Sequence, residues 1–544
     1  MNKIITFFAT LSCVFTFATH SARAQSANPS GLNPLFVNDI TIEVNTQADQ
    51  RHVRVTSAFN GWLFAAYIVN DSVSGKGGVV VRYSKNGGIN WYPFNGYAYY
   101  QHSHYTGCDI TVAGADSAHL SVFLGSVRKD LTTKRYEVAV EKFSGERIGL
   151  TPASVFFQQL DTNKVGDIAL ASNTKYLNLR DSLYSVGLLY SHHGTTMDSM
   201  IFVTTVKKAK NYFGTHHIIA TGNYYRKVSL GYGHSASASR GAYFAAWEQD
   251  STPVSTLGHI FTSRTKYSTD SVWTTPTLVD TLFPAMRNHV RYPSIACQYN
   301  ATDNDSSNLT VGIAFECARN GITDSMDILG VYNKKADSTN YWNTLAIANS
   351  TNNELQPSMT FDGNANNFLV TYYDSTAGAL PYLNQGFSIP TPNTWHVVKA
   401  AYNDNSALLR APWPRVVYNP FTMKAFFAWV LDPASKKGVV LCDAEYLNTS
   451  TGPALEMNGI KIYNLYPNPA STAVFLPVSS DRAADMSITV YNILGENSMP
   501  VQIQHLAGGM QNFELDVTSL AAGIYLCRVQ SGSVSHTVRF VVQR

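Results

Sequence analysis

Residues 51–91, RHVRVTSAFNGWLFAAYIVNDSVSGKGGVVVRYSKNGGINW, constrain the fold more than any other stretch, because variants of them recur to about residue 447. The segment reads as three strands. HVRVTSAF and WLFAAYIV join across Asn60-Gly61, a strong short-range hairpin signal, and GGVVVRYS closes on Asn86-Gly87-Gly88. Six related units follow at a spacing of roughly 60 residues. Their first strands are CDITVAG, DIALAS, KVSLGYG, YPSIACQY, QPSMTFDG and RVVYNP. Their second strands, LSVFLGSV, SVGLLYSHH, YFAAWEQD, VGIAFECA, FLVTYYDS and AFFAWVLD, are dense apolar runs, the pattern of strands buried on both faces.

A unit of three or four short strands cannot cover two apolar faces by itself. Radial stacking covers them and leaves only short protected edges, which favours a β-propeller over a sandwich. The seventh unit runs out after its third strand, at Leu447, while FVNDITIEV near the start has no hairpin partner. That orphan is expected to supply the missing outer strand. The expected fold is all-β: an approximately seven-bladed β-propeller over residues 36–447, a linker at 448–458 and a small C-terminal β-sandwich over 459–544.

The first 24 residues read as a secretory signal peptide, with Lys3, the apolar run IITFFATLSCVFTFAT and Ala22-Arg23-Ala24 before Gln25. No later segment approaches the length of a membrane-spanning helix, so none is expected once the leader is removed. Lys plus Arg number 40 against 37 Asp plus Glu, and no basic run occurs, so nothing would collect nucleic acid. After the leader, Cys108, Cys297, Cys317, Cys442 and Cys527 remain, odd in number and without CxxC spacing. Cys297 and Cys317 fall on adjacent expected strands and either pair or stay buried thiols. His192-His193 and His216-His217 put neighbouring side chains on opposite faces of a strand, and Asp303-Asn304-Asp305 and Asp362-Gly363-Asn364 fit solvated turns. No cofactor or metal is expected. With no nucleophile elbow, HExxH, P-loop or dinucleotide motif, no catalytic residue is assigned.

The tail carries Tyr466-Pro467-Asn468-Pro469-Ala470, VYNILGE at 490–496, LDVTSLAAGIYLCRV ending in Val529, and a final basic residue after FVV. In this order the motifs resemble the C-terminal sorting domain of proteins exported by the type IX secretion system of Bacteroidota. The resemblance implies a secreted or outer cell-surface protein whose partner is the type IX machinery. Ser84-Lys85-Asn86-Gly87-Gly88-Ile89-Asn90-Trp91 resembles the Asp-box hairpin of sialidase-like propellers, with Asn86 in place of its Asp. That motif is structural and implies fold, not activity.

Ligands of propellers usually meet the loops that enter the innermost strands. There the chain places Arg54, Asp109, Arg226, Arg291, Tyr292, Glu354 and Arg415 as candidate ligand-binding residues. Arginines facing one cavity suit a carboxylate or sulfate, which guanidinium binds bidentately. Val290-Arg291-Tyr292-Pro293 is similar to a sialidase arginine motif, although it lies in the fifth unit. The expected function is a propeller that binds a glycan or protein ligand; the alternatives are a sialidase-like exo-glycosidase acting on acidic sugars and a structural surface protein. Convergence of Arg54, Arg226 and Arg291 on one anion would favour the sialidase-like alternative.

Overall fold

The structure is a computed structural model. It describes residues from Ile40 to Val542 except for internal stretches, the longest of them 145–155, 174–184, 402–411 and 445–454. The leader expected at 1–24 lies outside the described residues. Every regular element described is a β-strand.

Each repeat unit forms an antiparallel sheet that begins with an inner strand. These are Asp49–Ser57, Ser103–Ala113, Val165–Ser172, Tyr225–Gly233, Val290–Cys297, Asn353–Asp362 and Arg415–Asn419. The second strands are the apolar runs read from the sequence, and Val311–Ala318 is buried at every position. Such a strand has neighbours on both faces, which is why its sequence does not alternate. The fourth and fifth sheets are joined by one pairing, Gly258 with Val290. In the last sheet the outer strand is Ile40–Val44, antiparallel to Val439–Ala444, with Ile40 opposite Cys442. The orphan strand thus completes the seventh sheet.

The inner strands touch in chain order, and the last touches the first. Side chains stitch most of these junctions. Asp109 accepts the Leu170 N–H at 2.7 Å, Asp167 that of Val228 at 3.4 Å, and Ser229 Oγ that of Ile295 at 3.0 Å. Ser294 Oγ accepts the Met359 N–H at 2.9 Å and Ser358 Oγ that of Val416 at 3.2 Å. Between first and second strands, Cys108 Sγ donates to the His52 carbonyl at 3.3 Å. Between seventh and first, Ser57 Oγ donates to the Tyr418 carbonyl at 2.8 Å and Asn419 Nδ2 to that of Gly61 at 3.1 Å. Each inner strand turns an unpaired side away from its own hairpin partner, and backbone groups on that side are satisfied in this way by the next sheet.

The turn that resembles an Asp-box packs on the seventh sheet. Ser84 Oγ accepts the Gly88 N–H at 2.9 Å, Trp91 Nε1 donates to the Gly88 carbonyl at 2.9 Å, and the Trp91 ring lies 5.8 Å from Phe426. Gly88 has φ +98°, and a Cβ there would meet Phe426 at 2.5 Å, so only glycine fits.

The five cysteines among the described residues are free and buried. Register explains why Cys297 and Cys317 do not pair: Cys297 lies opposite Val311 and Cys317 opposite Val290, at opposite ends of the same two strands.

The six strands of the tail are hydrogen-bonded into one antiparallel sheet. Ala473–Asn492, 20 residues long, pairs with Ile460–Ile462 near its start and Gly523–Ser531 near its end. A bulge between Ser480 and Ala483 interrupts its pairing with Gln502–Asp516. Leu455–Met457, inside the expected linker, pairs with Ile460–Ile462. One core, from Ile460 to Val542, contains no residue from the repeats.

Candidate functional site

The inner strands enclose a cavity of about 230 Å³, lined by residues of every one of them. Register fixes which residues share a level. Arg54, Asp109, Ala169, Ser229, Ser294, Ser358 and Arg415 lie opposite Ala66, Gly125, Leu189, Ala246, Ala314, Thr371 and Ala428 of their second strands. The next second-strand residue is an aromatic in six sheets (Tyr67, Tyr190, Trp247, Phe315, Tyr372 and Trp429), and all six rank among the largest fully buried side chains.

At this level Asp109, Ser229, Ser294 and Ser358 use an oxygen to accept the N–H one residue further along the next strand. Ala169 has no such oxygen. Arg54 and Arg415, on the adjoining first and seventh strands, are donors and cannot accept. Among the described residues no side chain takes the corresponding N–H of Val55. Arg54 Nε stands 3.8 Å from Asp109 Oδ1, whose carboxyl burial pushes up against the pull of Arg54. Arg415 is different. Its Nε is buried without a hydrogen-bond partner, and among the described residues no carboxylate forms an ion pair with it. Burial, and then the like charge of Arg54, lower its affinity for its proton, while Asp109 and Asp167 oppose the shift. A cation held out of water without a partner is costly unless an anion reaches it.

The rim of the cavity is built from left-handed residues. His52, Tyr292, Gln356 and Trp413 have φ of 55°, 54°, 58° and 47°. The first three sit in the bulges that precede the cavity level, and Trp413 lies two residues before Arg415. Such backbone persists where its surroundings enforce it. Here Glu248 accepts the Tyr292 N–H at 2.9 Å, Glu316 that of Gln356 at 2.6 Å, and Gln356 Oε1 that of Trp413 at 2.7 Å. The enforced geometry gathers three half-buried rings. His52 stacks on Trp413 with centroids 6.2 Å apart, and Tyr292 meets Trp413 edge-on at 5.1 Å. Lys227 Nζ lies 5.8 Å from the Trp413 ring, 5.9 Å from Tyr292 and 3.8 Å from Asp167. Burial, then the Lys227 and Arg54 charges, push His52 down to about 3, so its imidazole is neutral. Burial pushes the Tyr292 phenol up to about 12, so it keeps its proton.

Of the residues singled out from sequence, Arg54, Asp109 and Arg415 line the cavity, and Tyr292 directly precedes Pro293, which lines it. Arg226 is held by Asp250, and Arg291 by Glu316 at 2.6 Å. Glu354 turns to Arg319 at 3.8 Å and takes the Ser350 N–H at 3.2 Å. Arg54, Arg226 and Arg291 therefore each have a carboxylate of their own. His52, Trp413 and Gln356 were not among the candidates; the signal for Trp413 was its place directly before Pro414 and the last inner strand. Among the described residues no group of His, Cys, Asp and Glu could hold a metal, and no helix is long and apolar enough to cross a membrane.

Residues 464–543 match the family described as the secretion system C-terminal sorting domain. The tail is the sorting domain of the type IX secretion system, and the protein is secreted or carried on the cell surface. No curated protein matches the sequence. Several solved structures are similar at low identity. The α-L-arabinofuranosidase Arb93A of Fusarium graminearum is 11% identical, with a TM-score of 0.39 over 66% of this chain and 99% of its own. The α-L-arabinanase of Penicillium chrysogenum is 8% identical, with a TM-score of 0.40 over 76% and 99%. The Hadza microbial sialidase Hz136 is 10% identical, with a TM-score of 0.36 over 65% and 66%. At these scores the likeness says nothing about ligand or reaction.

Proposed function

We infer that the repeats form a seven-bladed β-propeller, exported by the type IX system, that binds an anionic ligand at the mouth of its central cavity. The circuit of contacts among inner strands, last to first, supports the blade count. The observation that carries the binding reading is Arg415, half-buried beside Arg54 in the cavity wall, with its Nε shut off from water and no carboxylate among the described residues in an ion pair with it. Three cations, Arg54, Arg415 and Lys227, face two carboxylates, Asp109 and Asp167, so a carboxylate or sulfate would balance the site. Both carboxylates already accept backbone N–H groups of the next sheet, which favours binding over a glycosidase needing free paired acids.

The test is a thermal-shift titration of the mature protein with acetate and sulfate at constant ionic strength, chloride serving as reference. Both oxyanions are expected to raise the midpoint, and Arg415→Gln to remove the effect. An unchanged midpoint in the unsubstituted protein would overturn the anion site.

A further inference from the structure

The proposal here rests on the anion reading and adds what carries the anion and what its binding does to the ring. At four junctions a side-chain oxygen on one inner strand accepts a backbone N–H of the next, at 2.7–3.2 Å. Between the seventh and first strands that place belongs to Arg415, and no described side chain takes the Val55 N–H. A carboxylate there would accept from Val55 and pair with both guanidinium groups, supplying the oxygen that serine supplies elsewhere.

Trp413 and neutral His52 each precede one of the two arginines by two residues, and Tyr292 and Lys227 pack against the Trp413 ring. The geometry points to an acidic sugar of a polysaccharide as the ligand, with its carboxylate in the seam between the seventh and first sheets. The C–H face of the sugar packs on the half-buried rings, a hydroxyl donates to the free imidazole nitrogen of His52, and Lys227 donates to a ring substituent. An acidic peptide would satisfy the guanidinium pair but leave the aromatic rings unused. Because the carboxylate bridges two sheets, binding ties the seam shut.

Calorimetry and thermal unfolding of the mature protein with trigalacturonate, a neutral trisaccharide and acetate test this. Trigalacturonate is expected to bind and raise the midpoint more than acetate, and the neutral sugar to do neither. Arg415→Gln and Trp413→Ala should each weaken trigalacturonate about tenfold or more. Arg415→Ser restores the serine acceptor, so it should raise the midpoint of the free protein and abolish the ligand-induced shift. Arg54→Gln gives an independent loss of binding should the serine variant fail to fold. If acetate shifts the midpoint while trigalacturonate is no better, or if Trp413→Ala leaves its affinity unchanged, the sugar inference falls and the anion site survives. If neither anion moves the midpoint, the anion site falls as well.

Discussion

Glu248 shows how single residues at the rim serve the fold. Its carboxylate holds Tyr292 in a left-handed conformation, and it is buried next to Asp250, with Lys227 and the Arg226–Asp250 pair nearby. Burial raises its affinity for a proton above that of an ordinary carboxylate. The folded state therefore keeps a proton that the unfolded chain releases, and stability falls as pH rises above the ordinary carboxylate range towards neutrality. Glu248→Gln keeps the acceptor for Tyr292 and removes the titration, so its midpoint should vary less with pH over that window; equal slopes for the two proteins would refute the assignment. The thiols give a second check. Burial pushes Cys108, Cys317 and Cys527 up to about 12, and the five described cysteines are all buried, so a thiol reagent should label none of these five before unfolding. Rapid labelling of the native protein would contradict this packing. At this scale the sequence was only partly legible. Arg54, Asp109 and Arg415 were visible because they precede strand patterns, but the common level of Ser229, Ser294 and Ser358 needs register, and register here depends on bulges that shift the pairing by a residue or more. Glu354 misled because a bulge two residues further on separates it from the residue that reaches the cavity, Ser358.

The elements were easier to read, since continuous apolar runs and Asn-Gly turns mark the strands without reference to tertiary structure. The N-terminal strand is the clearest case: it alternates, lacks a local partner, and pairs with Val439–Ala444. A bulge between Thr41 and Glu43 sets Glu43 against the first sheet, where the Tyr67 hydroxyl donates to it at 3.1 Å and Arg82 pairs with it. Glu43→Ala strands a half-buried arginine and should cost about 1.5–3 kcal/mol in denaturant unfolding. Deleting residues 36–44 bares the edge of the last sheet and should lower the midpoint of the whole array; unfolding identical to that of the full chain would refute the pairing. Gly88→Ala drives a methyl group into Phe426 at a position with φ +98°. It should destabilise by about 1–3 kcal/mol, as overpacking commonly does, and a neutral outcome would contradict the contact between the turn and the seventh sheet. In the tail, two expected strands, TAVFLPV and MSITVYNILG, prove to be parts of one, because Ser480 to Ala483 bulges without ending the pairing.

Across the whole molecule, the tail has its own core and the family match ends with it. Fusing the leader and residues 459–544 to an unrelated soluble protein should send that protein to the surface of a type IX-competent host; a folded fusion left in the periplasm would refute separability. The pairing of Ile40 with Cys442 has a consequence for assembly. The two halves of the last sheet are the most distant partners in the repeats, and contacts of long sequence separation form slowly because the intervening chain must be ordered before they form. A chain released progressively must carry Ile40–Val44 unpaired until nearly all seven units have emerged. Closure is then the final and slowest step of refolding, and a chain truncated before Val439 keeps that strand unpaired, available to a second molecule.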